Sequence, residues 1–157
     1  VPLHFIWKAW PDDRPRPRVV RMGLSGLSPA VHYRLGQCVQ AVAGELGRRT
    51  VYVASGDLSH RLTADGPYGF APDGPKFDEA MGDIFRTGDF LALLTMDPGL
   101  AERAAECGLR SFQIMAGALD RGAAEPRGAV WGGLRRGGVH PDICGWRRRE
   151  PQLPRTV

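Results

Sequence analysis

The strongest constraint on the fold is one amphipathic helical segment that lies between two β-rich segments. Ser28 and Pro29 supply a helix N-cap followed by a proline at the first helical position, and Gly47 ends the helical pattern. The flanking segments, residues 19–24 and 50–54, are rich in apolar and β-branched residues. A connection of this length favours two parallel strands joined by a right-handed crossover. The pattern therefore predicts an α/β fold.

The helical segment carries apolar residues at three- and four-residue spacing, which predicts one buried face. The residues that share this spacing are Val31, Leu35, Cys38, Val39, Val42 and Leu46. Cys38 is therefore expected in the core rather than in a reactive site. His32 falls in the first turn of the helix, at a position that leans toward the surface.

Further helices are predicted after a loop rich in glycine and proline, residues 61–75. A loop of this length beside a candidate site is typical of functional segments. Pro75 then opens one helix, residues 90–96 form a shorter one, Asp97 caps a third, and residues 109–119 form a fourth. The residues expected to face inward on the first and last of these are Phe77, Met81, Ile84, Phe85, Phe112, Met115, Ala116 and Leu119.

Length and composition limit the class of protein. The 157 residues suffice for one domain with a hydrophobic core. No apolar run is long enough to cross a bilayer and no signal-peptide pattern opens the sequence, so a cytoplasmic protein is expected. The three cysteines are scattered without CxxC spacing, which argues against a disulfide framework or a zinc ribbon.

The second β-rich segment ends in a polar turn that contains Asp57, Ser59 and His60. In α/β proteins the carboxyl ends of strands are where ligands bind. A histidine at such a position can exchange protons near neutral pH. By pattern alone, a solvated turn without function is the favoured alternative.

Three short motifs together resemble class III extradiol ring-cleavage dioxygenases. They are GDLSH at residues 56–60, GPYGF at residues 66–70 and ECGLR at residues 106–110. The similarity covers residues 1–120 and is strongest to the subunit-B-like branch related to the protocatechuate 4,5-dioxygenase β subunit. The Memo branch of the same superfamily is also similar. The resemblance implies the C-terminal part of a three-layer α/β/α domain with a mostly parallel or mixed sheet.

The resemblance implies a non-haem Fe(II) enzyme of aromatic catabolism that opens a catechol-type ring with O₂. Two histidines and one carboxylate would hold the iron. His60 matches the acid/base histidine, and Asp57 and Ser59 would contact substrate or orient the turn. Glu106 is expected as the carboxylate ligand, with a solvated helix end as an equally weighted alternative. Cys107 is the Memo-like counterpart, for which an unreactive buried thiol is the stronger interpretation.

The two iron-binding histidines of the family belong to its N-terminal half, and neither His4 nor His32 matches them. We therefore expect a fragment that is inactive by itself. The expected partners are a small aromatic substrate and O₂. The protein could also form a homo-oligomer, or carry or bind an AMMECR-type domain. Binding to nucleic acid or to a membrane is not expected. The alternative function is a Memo-like protein that binds metal without dioxygenase activity and accompanies AMMECR-type and radical SAM proteins.

The final segment, residues 121–157, holds eight of the 21 basic residues and three of the 17 acidic ones. Such a charge asymmetry alone would suggest a nucleic-acid-binding arm. In the family, the domain ends at this point with a strand of alternating small apolar residues. Plausible codons for this segment, read one nucleotide later, would encode such a strand. We therefore expect this Arg- and Gly-rich tail to be translated out of frame and disordered.

Overall fold

Helices build the described part of this chain. The computed structural model describes residues 2–120, together with the backbone of residues 129–130 and 145–146. In chain order its helices are α1 (Pro2–Lys8), α2 (Pro29–Glu45), α3 (Asp73–Thr87), a 3-10 helix (Phe90–Leu94), α4 (Pro98–Ala104) and α5 (Leu109–Leu119). Two short strands, β1 (Ala129–Val130) and β2 (Gly145–Trp146), pair antiparallel. The predictions for the rest of the tail lie outside the described residues.

The predicted α/β/α fold with a mostly parallel or mixed sheet is wrong for the described part of the chain. Residues 19–24 and 51–53 have no regular secondary structure, and Ala54 forms only an isolated bridge. Val20 is 86% exposed and Val51 is 64% exposed. β-Branched residues form strands only where neighbouring strands pair the backbone and cover the side chains. Within residues 2–120, helix packing takes the place of the expected sheet.

Helix α2 begins and ends as predicted but buries a different face. Ser28 is its N-cap residue, and Gly47 follows its end with a φ of 60°. The predicted core position Cys38 is exposed, and His32, predicted near the surface, is only 3% exposed. Both predictions are wrong because α2 packs its small and polar face, centred on Gly36, against α5.

Two glycines allow the backbones of α2 and α5 to touch. A Cβ on Gly36 would overlap the carbonyl oxygen of Ile114, and a Cβ on Gly117 would overlap that of Tyr33. The Tyr33 hydroxyl donates a hydrogen bond of 2.6 Å to Asp120 at the end of α5. Burial, together with this carboxylate, raises the pKa of Tyr33 to about 12. The two helices are thus held by close backbone packing at the two glycines and by the Tyr33–Asp120 hydrogen bond at the end of α5.

The core lies between α3, the 3-10 helix, α4 and α5. The most completely buried large side chains are those of Phe77, Met81, Leu93 and Ile114. The inward face predicted for α3 is confirmed, since all four of its predicted residues are buried. The predicted cap of α4 is also confirmed, because Asp97 accepts hydrogen bonds from the N–H groups of Gly99 and Leu100. Among the described helices, none combines the length and apolar content needed to cross a bilayer.

Candidate active site

The predicted functional turn, residues 55–60, packs along the junction between α4 and α5. The Cys107 N–H donates to the Asp57 carbonyl at 3.2 Å, and the Asp57 N–H donates to the Cys107 Sγ at 3.1 Å. The His60 N–H donates to the Ala104 carbonyl at 3.2 Å. Backbone pairing therefore joins two motifs that are some fifty residues apart in sequence.

A glycine makes this contact between the two segments close. A Cβ on Gly56 would overlap the Cα of Gly108 and lie 2.8 Å from the carbonyl oxygen of Cys107. Any larger residue at position 56 would push the turn away from the junction. Close backbone approach explains why glycine stands before Asp57.

The imidazole of His60 lies between two hydrogen-bond acceptors. Its Nδ1 contacts the Ala105 carbonyl oxygen, and its Nε2 lies 3.1 Å from the Asp57 Oδ2. A neutral imidazole has one N–H group, whereas the imidazolium can donate to both acceptors. The Ala105 carbonyl, followed by Asp57 and then Glu106, therefore raises the pKa of His60 above its ordinary value, and desolvation opposes this only in part. The side chain of His60 is 22% exposed, so solvent or a ligand can reach it.

Ala105 has an unusual backbone conformation that aims its carbonyl at His60. Its φ of 54° makes it the one non-glycine residue with positive φ among the described residues. The left-handed region is unfavourable for a residue with a Cβ, and such strain often occurs at functional sites. Sequence reasoning missed this contact, because an alanine at the end of a short helix gives no signal of a special conformation.

Ser59 fixes the turn from the inside. Its hydroxyl donates to the Ala104 carbonyl at 2.9 Å and accepts the Arg61 N–H at 3.0 Å. Its own N–H donates to the Asp78 Oδ1 on α3 at 2.8 Å. Because the hydroxyl is buried within these bonds, the contacts favour a positioning role. Asp78 is a second residue that sequence reasoning missed, because one aspartate on a helix gives no signal of a contact with a distant turn.

An aromatic ring from the predicted 61–75 loop covers His60. The ring centroids of Tyr68 and His60 are 5.0 Å apart, and the planes are inclined by 34°. This distance suits attraction between a charged imidazole and an aromatic face. Tyr68 is also 56% exposed, so much of its ring remains accessible. The loop is held at its far side by a hydrogen bond from Ala71 N–H to the Arg61 carbonyl.

Glu106 lies just before α5, and one of its carboxylate oxygens accepts a hydrogen bond from the first turn of that helix. Its Oε2 accepts the Leu109 N–H at 2.6 Å, which places a negative charge at the positive end of the helix dipole. Glu106 also contributes to the raised pKa of His60. The geometry supports a capping role for this carboxylate, and its role as a metal ligand stays a prediction.

The described histidines do not provide the two-histidine, one-carboxylate set expected for iron. His32 is buried, with its ring nitrogens within hydrogen-bond distance of the Ser25 hydroxyl and the Ser28 carbonyl. His4 lies on α1, where its ring packs edge-on against Phe5. The described part of the chain instead brings together Asp57, His60 and Cys107, whose potential ligand atoms all lie within 4.8 Å of one another.

A comparison with protein families agrees with the motifs and with the position of His60 in its turn. The chain belongs to the family described as the catalytic LigB subunit of aromatic ring-opening dioxygenase, whose model matches residues 1–133. The predicted resemblance to extradiol dioxygenases is thereby confirmed.

A curated relative matches most of this chain over a small part of its own length. Over 120 residues the chain is 38% identical to Protein CA_C1420 of Clostridium acetobutylicum. The aligned part covers 76% of this chain and 25% of that protein. The chain therefore spans about a quarter of the relative's length.

Proposed function

We propose that this chain supplies the proton-transfer part of an aromatic ring-opening dioxygenase site, with His60 as its acid/base group. The substrate class is a catechol-type ring that is cleaved with O₂. The observation that carries this proposal is the position of the His60 ring, which lies between the Ala105 carbonyl and the Asp57 carboxylate and remains partly exposed. Membership of the ring-opening dioxygenase family supplies the reaction class.

The environment of His60 suits a group that gives and takes a proton at Nε2. The Ala105 carbonyl holds Nδ1, so the ring keeps one orientation while Nε2 exchanges its proton. The imidazolium form can donate a proton to an oxygen atom of the bound reactants. The neutral form, populated as the pH rises through the pKa of His60, can accept a proton from a catechol hydroxyl.

Neighbouring side chains suit the binding of an aromatic substrate. Asp57 is 39% exposed and can accept a hydrogen bond from a catechol hydroxyl. The accessible ring of Tyr68 offers a stacking surface beside the imidazole. Ser59 acts indirectly, by fixing the turn that carries Asp57 and His60.

Fe(II) is the cofactor that we propose for the complete enzyme. Glu106 is the carboxylate candidate in this chain, with Cys107 as a less favoured one, and the described residues do not complete an iron site. We propose that two histidines come from other parts of a longer protein, and that residues 1–120 are its C-terminal portion and are inactive alone. The steps assigned to His60, Asp57 and Tyr68 involve only protein groups and substrate protons.

The test is O₂ uptake by the protein of full natural length, loaded anaerobically with Fe(II) and supplied with a panel of catechols. His60→Phe should keep its iron and lose activity by about 10²- to 10⁴-fold, the usual contribution of a general acid/base. His32→Phe is a poor control because His32 is buried, whereas His4→Phe alters an accessible histidine on α1 and should retain activity. Equal rates for His60→Phe and the unsubstituted protein would refute the assignment. A protein that binds iron but consumes no O₂ with any catechol would favour the Memo-like alternative.

A further inference from the structure

We propose that the exposed apolar face of α2 is the surface on which another part of a longer protein packs. Five residues define this face, called here the α2 stripe: Val31, Leu35, Cys38, Val42 and Leu46. Their spacing of three or four residues places them along one side of the helix, over a length of about 22 Å. The proposal rests on the proposed function only in that residues 1–120 are the C-terminal portion of a longer protein.

The α2 stripe is exposed because α5 contacts a different side of the helix. On that other side His32 and Gly36 are buried, and Gly36 lies against the backbone of Ile114. The four aliphatic side chains of the stripe are between 40% (Leu35) and 62% (Leu46) exposed, and Cys38 is exposed as well. Within the described part of the chain, this side of α2 is therefore left open to solvent.

The composition of α2 is typical of a helix with a neighbour on each side. Arg34 and Glu45 are the charged residues among its 17 positions, counting histidine as neutral. A helix that faces water usually carries charged and polar residues on its outer side, whereas a helix that is apolar there is normally buried. Depletion of charged residues is also typical of the core of a protein interface. The α2 stripe therefore has the chemistry of a surface that accepts an apolar partner.

The segments on both sides of α2 extend this exposed apolar surface along the chain. Val20 and Leu27 before the helix are 86% and 59% exposed, and Val51 after it is 64% exposed. Single exposed apolar residues are ordinary, but a series of them marks an interaction surface. The partner is thus expected to be a folded protein surface rather than a small ligand.

The partner that the comparison favours is an attached part of the same polypeptide. The aligned segment makes up 25% of Protein CA_C1420, so about three quarters of that relative lie outside it. A covalently attached partner has an effective concentration on the order of millimolar, which exceeds that of a second copy in dilute solution. We therefore assign the α2 stripe to an apolar surface of the attached polypeptide, and a second copy of the chain is the alternative outcome of the test.

Docking on the α2 stripe would act on the candidate active site only through the helices. The stripe contains no residue of that site, but α2 contacts α5 closely at Gly36 and Gly117. The turn that carries His60 pairs with the segment just before α5. A part docked on α2 would therefore brace the helix pair that positions this turn.

The first test is the rate at which N-ethylmaleimide alkylates Cys38, followed by mass spectrometry of the peptide that contains it. In the 157-residue chain we expect Cys38 to react readily, because it is exposed. In the protein of full natural length it should react at least about tenfold more slowly, since reaction then requires local opening. Equal rates in the two proteins would overturn the proposal. Protection that already appears in the 157-residue chain and increases with its concentration would assign the stripe to a second copy, and would also overturn it.

A substitution provides a second test that does not depend on cysteine chemistry. Leu35→Gln should lower the thermal midpoint of the protein of full natural length by roughly 4 °C or more, because it puts an amide into a covered apolar surface. In the 157-residue chain the same change should shift the midpoint by less than about 2 °C, since the side chain there faces water. Leu91→Gln is the matched control, because Leu91 is an exposed leucine of the 3-10 helix, outside the stripe, and its effect should be small in both proteins.

Equal shifts for Leu35→Gln in the two proteins would refute docking on α2. Neither measurement involves iron, O₂ or the protonation of His60. Failure of this proposal therefore leaves the O₂-uptake result intact, and failure of the His60 assignment leaves the Cys38 and Leu35 results intact.

Discussion

The Nε2 atom of His60 lies 3.1 Å from the Oδ2 atom of Asp57. Because Nδ1 already contacts the Ala105 carbonyl, this second acceptor is satisfied only by the doubly protonated ring. The two acceptors therefore favour the imidazolium form of His60. The strength of the contact between His60 and Asp57 contributes to the pKa of His60, and thus to the pH at which the ring loses its proton.

Removing the Asp57 charge should lower the pKa of His60. In an NMR titration of the ring protons we expect His60 to titrate above the ordinary 6.5 in the unsubstituted chain, and at lower pH in Asp57→Asn. The Ala105 carbonyl remains in the variant, so part of the increase should persist. Asp83→Asn is the control, because Asp83 pairs with Arg86 on the surface of α3. An unchanged His60 titration in Asp57→Asn would contradict the proposed pairing.

The same contacts should make folding stability depend on pH in a defined direction. A pKa that is raised on folding adds stability at pH values below the unfolded pKa, and this stability disappears as the pH rises through the folded pKa. His60→Gln should therefore lower the free energy of unfolding more at about pH 5.5 than at about pH 9. Urea denaturation at the two pH values measures the difference. A larger loss at the higher pH would show that the folded protein prefers the neutral ring.

Gly56 should be intolerant of any side chain. Gly56→Ala places a methyl group against the backbone of Gly108, and we expect a loss of about 1–3 kcal/mol, as for other overpacked positions. The His60 ring signals should shift as well, since the turn must move away from the α4–α5 junction. Gly82→Ala is the matched control on α3, where a Cβ meets only the end of the Arg86 side chain at 3.9 Å. That variant should gain roughly 0.5–1 kcal/mol from helix propensity.

A similar comparison tests the crossing of α2 and α5. Gly36→Ala would overlap the Ile114 carbonyl, and we expect a loss of about 1–3 kcal/mol in the free energy of unfolding. Gly44→Ala lies on the same helix with no atom near the added Cβ, and should stabilise by roughly 0.5–1 kcal/mol. Thermal or urea unfolding of the two variants measures the contrast. Equal effects would mean that α2 does not contact α5 through Gly36.

Tyr68 should influence the magnetic environment of His60. Removal of the ring in Tyr68→Ala should abolish the ring-current shift of the His60 ring protons, while Tyr68→Phe should preserve it. Phe70→Ala is the control, because Phe70 is an equally exposed aromatic residue of the same loop. Loss of the shift in Phe70→Ala, with no change in Tyr68→Ala, would reverse the assignment.

Helices α2, α3 and α4 could be predicted from the sequence because their signals are local, whereas α1 was not predicted. Proline and serine at the start of α2, the Asp97-Pro98 cap of α4 and the apolar spacing of α3 each involve only a few neighbouring residues. The two β-rich segments could not be interpreted in this way. A strand depends on partners that the segment itself does not encode, and residues 19–24 have no regular secondary structure and are exposed in the structure.

The candidate site was predictable only in part for the same reason. His60 and Asp57 stand out because an imidazole and a carboxylate follow a β-rich segment and match a family motif. The largest contribution to the raised pKa of His60 comes from the Ala105 carbonyl, and the turn that carries His60 is fixed by the hydrogen bond from the Ser59 N–H to Asp78. A backbone carbonyl and a helix-face aspartate carry no pattern in the sequence, so only the three-dimensional arrangement identifies them.

The most direct test of the central claim compares two pH values in the iron-loaded protein of full natural length. One is the pH at which His60 titrates by NMR, and the other is the pH at which O₂ uptake with a catechol changes by half. The account predicts that the two coincide, and that Asp57→Asn shifts both to lower pH together. A pH profile of O₂ uptake that stays in place while the His60 titration moves would show that His60 is not the acid/base group.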